Sequence, residues 1–395
     1  MCRTGAKRAG ARRVGCAANL TDVPARFDSA VYAHRLTAAA QATAAAGLAG
    51  LVITPGYDLR YLLGSRAQTF ERLTALVVPA SGPPTMVVPT LERPALADSA
   101  VAELAITVHE WVDGEDPYAL VAAALGGGTD GAPSAVTDAM PALHLLPLAD
   151  ALGVAPVLAT PVLRELRMIK DPAEVEALRR AGAAIDRVHA AVPAMLIAGR
   201  TEAEVAADIA AAIVAEGHTE PAFIIVGSGP NGADPHHECS DRVLQTGDVV
   251  VVDIGGPVEP GYHSDCTRTY SIGEPDADVA HRYSVLLDAQ RAAVAAVRPG
   301  VSAEHIDAAA RDVLIEAGLG EFFVHRTGHG IGLSVHEEPY MVAGNELSLA
   351  AGMAFSVEPG IYFPGQWGAR IEDIVVVTDT GAEPLNRRPH DLLVV

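Results

Sequence analysis

The chain has 395 residues, half of them apolar and 19% charged, a balance that excludes an intrinsically disordered chain and suits two or three domains. Its formal net charge is −21. Residues 1–20 hold five bases (Arg3, Lys7, Arg8, Arg12 and Arg13) and no acid, so the remainder is more acidic still. A body of that sign repels a phosphate backbone, which argues against nucleic acid and anionic membrane as partners.

No apolar run follows Arg12 and Arg13, so residues 1–27 read as a disordered or over-extended basic head rather than a secretory signal. The longest uncharged run, Thr37 to Tyr57, contains Gln41, Gly47, Gly50 and Pro55 and reads as helix, turn and strand, not as a membrane span. Cys2, Cys16, Cys239 and Cys266 show no pairing pattern and read as free thiols in a reducing cytoplasm.

Residues 28–162 alternate short helices and strands, as a small α/β domain does. Arg35–Gly47 and Ala119–Leu125 are predicted helices. Leu51–Thr54, closed by Pro55-Gly56, and Leu73–Val78 and Thr85–Val88 are predicted strands. Gly126–Gly131 lacks a following Gly-Lys-Ser/Thr, so it reads as a flexible surface loop rather than a phosphate loop. This half carries no catalytic constellation.

The composition changes near Leu163–Lys170, and residues 163–395 form the second unit. Asp171-Pro172-Ala173-Glu174 is a capping box with proline at the first helical position, opening a helix towards Ile197 that stops near Gly199. Thr201-Glu202-Ala203-Glu204 opens a second helix to about Glu216. Strands Phe223–Val226 and Val249–Val252 follow. After Asp276 the order recurs: helices Ala277–Val297 and Ala303–Ala317, then loops and strands. The second half thus reads as two copies of one plan.

Each copy ends in a pair of carboxylates on strand-like segments. Asp253 closes four valines, and Asp265 precedes Cys266-Thr-Arg-Thr-Tyr270, with Gly255, Gly256 and Gly261 between them as a hairpin requires. Glu358 lies in Phe355-Ser-Val-Glu-Pro359 and Glu372 in Arg370-Ile-Glu-Asp-Ile374. One acid at a strand end can simply reach solvent. Four in such apolar settings are costly unless a cation is shared among them. Two divalent ions about 3.5–4 Å apart can share bridging carboxylates. His329, flanked by glycines in Thr327-Gly-His-Gly-Ile-Gly332, adds a nitrogen donor that the backbone can bring close.

In this order, Asp253, Asp265, Gly328-His-Gly-Ile-Gly332, Glu358-Pro-Gly360 and Arg370-Ile-Glu-Asp373 resemble the pita-bread metallopeptidases. That family holds methionine aminopeptidase, aminopeptidase P, prolidase and the metal-free creatinase. The resemblance spans about 163–395. The first half, with Tyr61 in Asp58-Leu-Arg-Tyr-Leu-Leu-Gly64, is similar to the domain carried by the prolidase, aminopeptidase P and creatinase branch.

The resemblance implies an α+β pita-bread fold with a pseudo-twofold repeat, preceded by a small creatinase-like α/β domain. It implies that Asp253 serves one metal, Asp265 and Glu372 bridge both, and His329 and Glu358 serve the other, with Glu358 also relaying a proton. His336, in Ser334-Val-His-Glu-Glu-Pro339, matches the family's second histidine, which hydrogen-bonds the scissile carbonyl or developing oxyanion. His236 or its neighbour His237 matches a further substrate histidine, the position after Pro235 favouring His236. Arg370 and Tyr362 match residues that contact substrate or support a ligand. The implied cofactors are two divalent ions, Mn²⁺ or Co²⁺, the implied assembly is a homodimer, and the substrate is a peptide or dipeptide cut at the Xaa-Pro bond. The alternative on the same scaffold is a C–N hydrolase of a small non-peptide amide or cyclic amidine. The complete donor set disfavours a catalytically dead binding module and creatinase-like chemistry. One departure from the family is the stretch Ile254 to Ser264, which is longer by one residue than the resemblance leads one to expect and matters only if it turns Asp265 off the metal-facing side.

Overall fold

Asp28 accepts a hydrogen bond from the Ala30 N–H at 2.8 Å and starts the helix Ser29–Ala45, ahead of the expected start at Arg35. The computed structural model describes residues 25–68, 71–126 and 131–395. Residues 1–24 of the basic head and 127–130 of the glycine-rich loop lie outside the described residues. The first half forms a six-stranded mixed sheet in the order Thr107–Trp111, Thr85–Pro89, Ala75–Pro79, Gly50–Ile53, Ala135–Val136, Val157–Leu158. The three strands that were expected here are fully buried, as apolar runs covered on both faces should be. Among the described residues, no helix is long and apolar enough to cross a membrane.

Helix Pro172–Ala191 begins with the expected capping box: Asp171 accepts from Ala173 and Glu174, and Glu174 reaches back to the Asp171 N–H. It ends at Ala191, short of the expected Ile197. Pro193 offers no N–H to continue the helix, and a tight 3₁₀ turn, Val192–Ala194, replaces it. Thr201 and Glu204 cap helix Glu202–Ala215 in the same way. Each helix pair packs on its own sheet. Ile185, Val188, Val205 and Ile209 meet Val250 and Val252 in one core, while Leu286, Ile306 and Leu314 meet Phe355 and Val375 in another. The expected repeat of two helices followed by sheet is therefore present.

Strands Val249–Val258 and Tyr262–Ser271 form a long antiparallel hairpin in which Asp253 faces Thr267 and Gly255 faces Asp265. Side chains alternate with a period of two, so Asp253, Asp265 and Thr267 share one face. The longer connection leaves the register of the carboxylates intact. Gly255 and Gly256, expected in the hairpin turn, sit inside the ladder instead. There a Cβ at Gly255 would strike the Ser264 carbonyl and the Phe223 ring, and one at Gly256 the Glu220 carbonyl. The turn is at Glu259-Pro260-Gly261, with Gly261 at φ +109°. Its Glu259 pairs with Arg60 at 3.2 Å and Arg66 at 2.9 Å from the first half.

Candidate metal centre

The second half brings five donor side chains to one place. Asp253 and Asp265 project from the hairpin just described. His329 is the middle residue of the short strand Gly328–Gly330. Its backbone N–H donates to Ser356 Oγ at 2.9 Å, and its ring Nδ1 lies 3.1 Å from Gly330 O, which turns Nε2 towards the carboxylates. A Cβ at Gly328 would strike the Ser356 carbonyl and one at Gly330 the Glu338 carbonyl, so the flanking glycines permit a close backbone approach. Glu358 follows strand Ala354–Val357 and is tied by its N–H to Thr327 O at 2.8 Å. Glu372 sits in the break between strands Trp367–Arg370 and Asp373–Val377.

The His329 Nε2 lies 3.2 Å from Glu358 Oε1 and 3.5 Å from Asp265 Oδ2. Donor atoms of Asp265, His329 and Glu372, all buried, lie within 4.8 Å of one another. Asp253 turns Oδ2 to Arg370 Nη2 at 2.6 Å and leaves Oδ1 buried without a hydrogen-bond partner. Burial pushes Asp265 and Glu372 well above the carboxylate range, and the neighbouring carboxylates push the same way. Burial also favours neutral Glu358, but the hydrogen bond and charge of His329 outweigh it and hold that carboxyl at about 2. Mutually repelling buried acids, an orphaned carboxylate oxygen and an imidazole nitrogen aimed among them fit hard divalent cations.

The centre forms the floor of a cavity of about 750 Å³ whose walls include Phe223, Ile225, Val324 and Val335. His336 lines it, its ring edge-on to His329 with centroids 4.1 Å apart. Burial and the facing His329 hold His336 down at about 4, which keeps it neutral at pH 7. His236 also lines the cavity. His237 does not: its Nε2 turns 2.7 Å from Glu202 Oε2. Arg370 lines the cavity with Asp253 and Thr267 as partners, Nε donating to Thr267 Oγ1 at 3.1 Å. Tyr362 stands behind it rather than in the cavity, buried, with Oη 2.6 Å from Arg370 Nη1 and 2.9 Å from His325 Nε2.

Four contributors escaped the sequence reading. Thr267 donates to Glu372 Oε2 at 2.8 Å, and its place two residues after Asp265 puts it on the same strand face, a signal that was available. Ser356 bridges His329 N–H and Glu358 Oε1, the latter at 2.8 Å. His325 and Arg326 line the cavity from the loop entering Gly328–Gly330, where no periodicity marks them.

Residues 176–379 match metallopeptidase family M24, and residues 35–169 match the creatinase/prolidase N-terminal domain. The chain is 72% identical over 370 residues to a probable dipeptidase PepE of Mycobacterium tuberculosis, covering 94% of this chain and 98% of that protein. It is 34% identical over 343 residues to an Xaa-Pro dipeptidase of Lactobacillus helveticus, covering 85% and 92%. A crystal structure of dipeptidase PepE from Mycobacterium ulcerans superposes with a TM-score of 0.90 at 74% identity, covering 94% of this chain and 99% of that one.

Proposed function

Since the chain belongs to metallopeptidase family M24, we propose that it hydrolyses the Xaa-Pro peptide bond, in dipeptides or at the amino terminus of peptides, at a two-metal centre. The observation that carries this is the convergence of Asp265, His329 and Glu372, joined by Asp253 and Glu358, on the floor of a cavity that His236 and His336 line. The relatives named dipeptidase and Xaa-Pro dipeptidase support it.

In this reading Asp253 would hold one metal, His329 and Glu358 would hold the other, and Asp265 and Glu372 would serve both. Two divalent ions, when bound, supply Lewis acidity and bring the pKa of water towards ~7. The protein's own groups do the rest. Glu358 accepts the proton of the attacking water and passes it to the departing nitrogen. That nitrogen belongs to a tertiary amide before proline, so it has no N–H to offer the enzyme. Recognition therefore falls on the carbonyl oxygen, to which neutral His336 donates. His236 helps hold the substrate. Arg370 fixes Asp253, and Tyr362 fixes Arg370.

The finer assignments belong to the same proposal. Oxygen-dominated donors favour Mn²⁺, with Co²⁺ able to replace it. Exposed Leu143, Leu146 and Leu158 on the first half support a homodimer formed through it. The free thiols Cys239 and Cys266 support a reducing cytoplasm. The division into units is drawn at 162/163, with residues 28–162 assisting the site and 163–395 containing it. The test is a panel of Xaa-Pro dipeptides, longer Xaa-Pro peptides and ring amides assayed with added manganese. Cleavage restricted to bonds before proline is expected. Cleavage of ring amides alone contradicts the proposal.

A further inference from the structure

His236 lines the main cavity without a side-chain anchor of its own. The residue is exposed, and among the described residues its imidazole has no hydrogen-bond partner. Its backbone N–H donates to Asp234 Oδ1 at 3.0 Å, a contact confined to its own turn. Where the imidazole stands is therefore set by the backbone that carries it. That segment leaves strand Phe223–Ser228, makes the 3₁₀ turn Gly229–Ala233 and runs on to Ser240.

One carboxylate gathers the whole segment. Glu202, with no exposed surface, is the first residue of helix Glu202–Ala215. Its Oε1 accepts from the Ser228 N–H at 2.8 Å and from Ser228 Oγ at 2.6 Å. Its Oε2 accepts from the Ser240 N–H at 3.2 Å, from Ser240 Oγ at 2.7 Å and from His237 Nε2 at 2.7 Å. Asn231 Nδ2 reaches both oxygens at 3.1 Å. The donors thus come from the start, the middle and the end of the segment. Burial pushes the Glu202 carboxyl up, but the hydrogen bonds from Ser228, Ser240 and His237 outweigh it and hold it below the usual carboxylate range. An ionised carboxylate only accepts, so His237 donates through Nε2 and its ring stays turned from the cavity.

Capping the helix does not explain these contacts, because Thr201 and Glu204 already form its capping box. The far side of the segment is held as well. The Gly232 backbone lies against Gly368, where a Cβ would strike the Gly232 carbonyl, and Arg370 Nη2 is 3.4 Å from Pro235 O.

We propose that Glu202 is a positioning residue for substrate binding: by tying Ser228, Asn231, His237 and Ser240 together, it sets where His236 stands in the cavity. This rests on the Xaa-Pro reading above, in which His236 holds the substrate.

The experiment measures kcat and KM on Ala-Pro, with metal content, for manganese-loaded wild type, Glu202→Gln, Asn231→Ala, His236→Ala and the two double variants with His236→Ala. Each Glu202 oxygen receives a backbone N–H. Whichever way a glutamine turns, its NH₂ faces an N–H that cannot reverse, so one end of the segment is released. Glu202→Gln is expected to raise KM about 10-fold, the cost of one lost charge-assisted hydrogen bond, with a smaller change in kcat and with metal content kept. Asn231→Ala, at a half-buried position, is expected to do the same more weakly, and it carries the test if Glu202→Gln does not fold. Both effects should vanish in the His236→Ala background, since they act through that imidazole. A KM rise that persists undiminished there, wild-type KM in the single variants, or loss of metal in place of the KM rise overturns the proposal and leaves the Xaa-Pro reading standing. Failure of that reading shows in the wild type instead, as no cleavage of Ala-Pro, and takes this proposal with it.

Discussion

Arg370 Nη2 stands 2.6 Å from Asp253 Oδ2, so the carboxylate proposed to serve one metal alone is also the one a guanidinium holds. The same arginine is anchored by Thr267 and Tyr362. The arrangement dictates which Asp253 oxygen is free: Oδ1, the buried atom with no hydrogen-bond partner. In the proposed centre Arg370 orients a ligand, a class of contact worth roughly 10- to 100-fold in metal affinity or activity.

Arg370→Ala is therefore expected to weaken binding of one of the two metals by that factor, while circular dichroism remains that of the folded chain. Calorimetric titration of metal into the apo-protein measures it. Unchanged affinity at both sites would show that the Asp253 pair serves only to neutralise charge.

His336→Ala should keep both metals and the fold but lose on the order of 10²–10³ in kcat on Xaa-Pro substrates, the usual cost of removing one oxyanion donor. His236→Ala should lose less, mainly through KM. Loss of metal in His336→Ala would identify it as a ligand. Wild-type turnover would assign it to the scaffold.

His189 tests the packing of the first copy. It is fully buried, with Nδ1 3.0 Å from Tyr270 Oη and Nε2 3.0 Å from Cys266 O, and burial holds it down at about 3. A histidine whose folded pKa is depressed contributes stability above its unfolded pKa, near 6.5, and that contribution is lost as pH falls from there towards 3. Between pH 7 and pH 5 the loss from this one group is about 2 kcal/mol. Urea unfolding of His189→Gln should show a pH 7-to-5 decline smaller by about that amount than wild type. An identical decline would mean that His189 is not buried neutral.

Much of this architecture was legible because its signals are local. The capping boxes at Asp171 and Thr201 mark helix starts by chemistry confined to four residues. The cluster of donors was legible because buried acids in apolar strands have few structural uses. Helix ends and the hairpin turn were read less well. The stop at Ala191 depends on Pro193, and Gly255 and Gly256 are required by the Phe223 ring and by the Ser264 and Glu220 carbonyls, contacts invisible along the chain. The place of Tyr362 behind Arg370 is set by which side chain backs another, and spacing carries no record of that. The choice between His236 and His237 turned on Glu202, a helix residue 35 positions earlier in the chain that draws the second imidazole away from the cavity.

The most direct measurement is the metal content of the purified chain after manganese loading and removal of excess ion, by elemental analysis. The account predicts two ions per chain in the wild type, with Asp265→Ala and Glu372→Ala folded but depleted and inactive. A wild-type chain that holds no metal, and whose activity survives chelation, would contradict it.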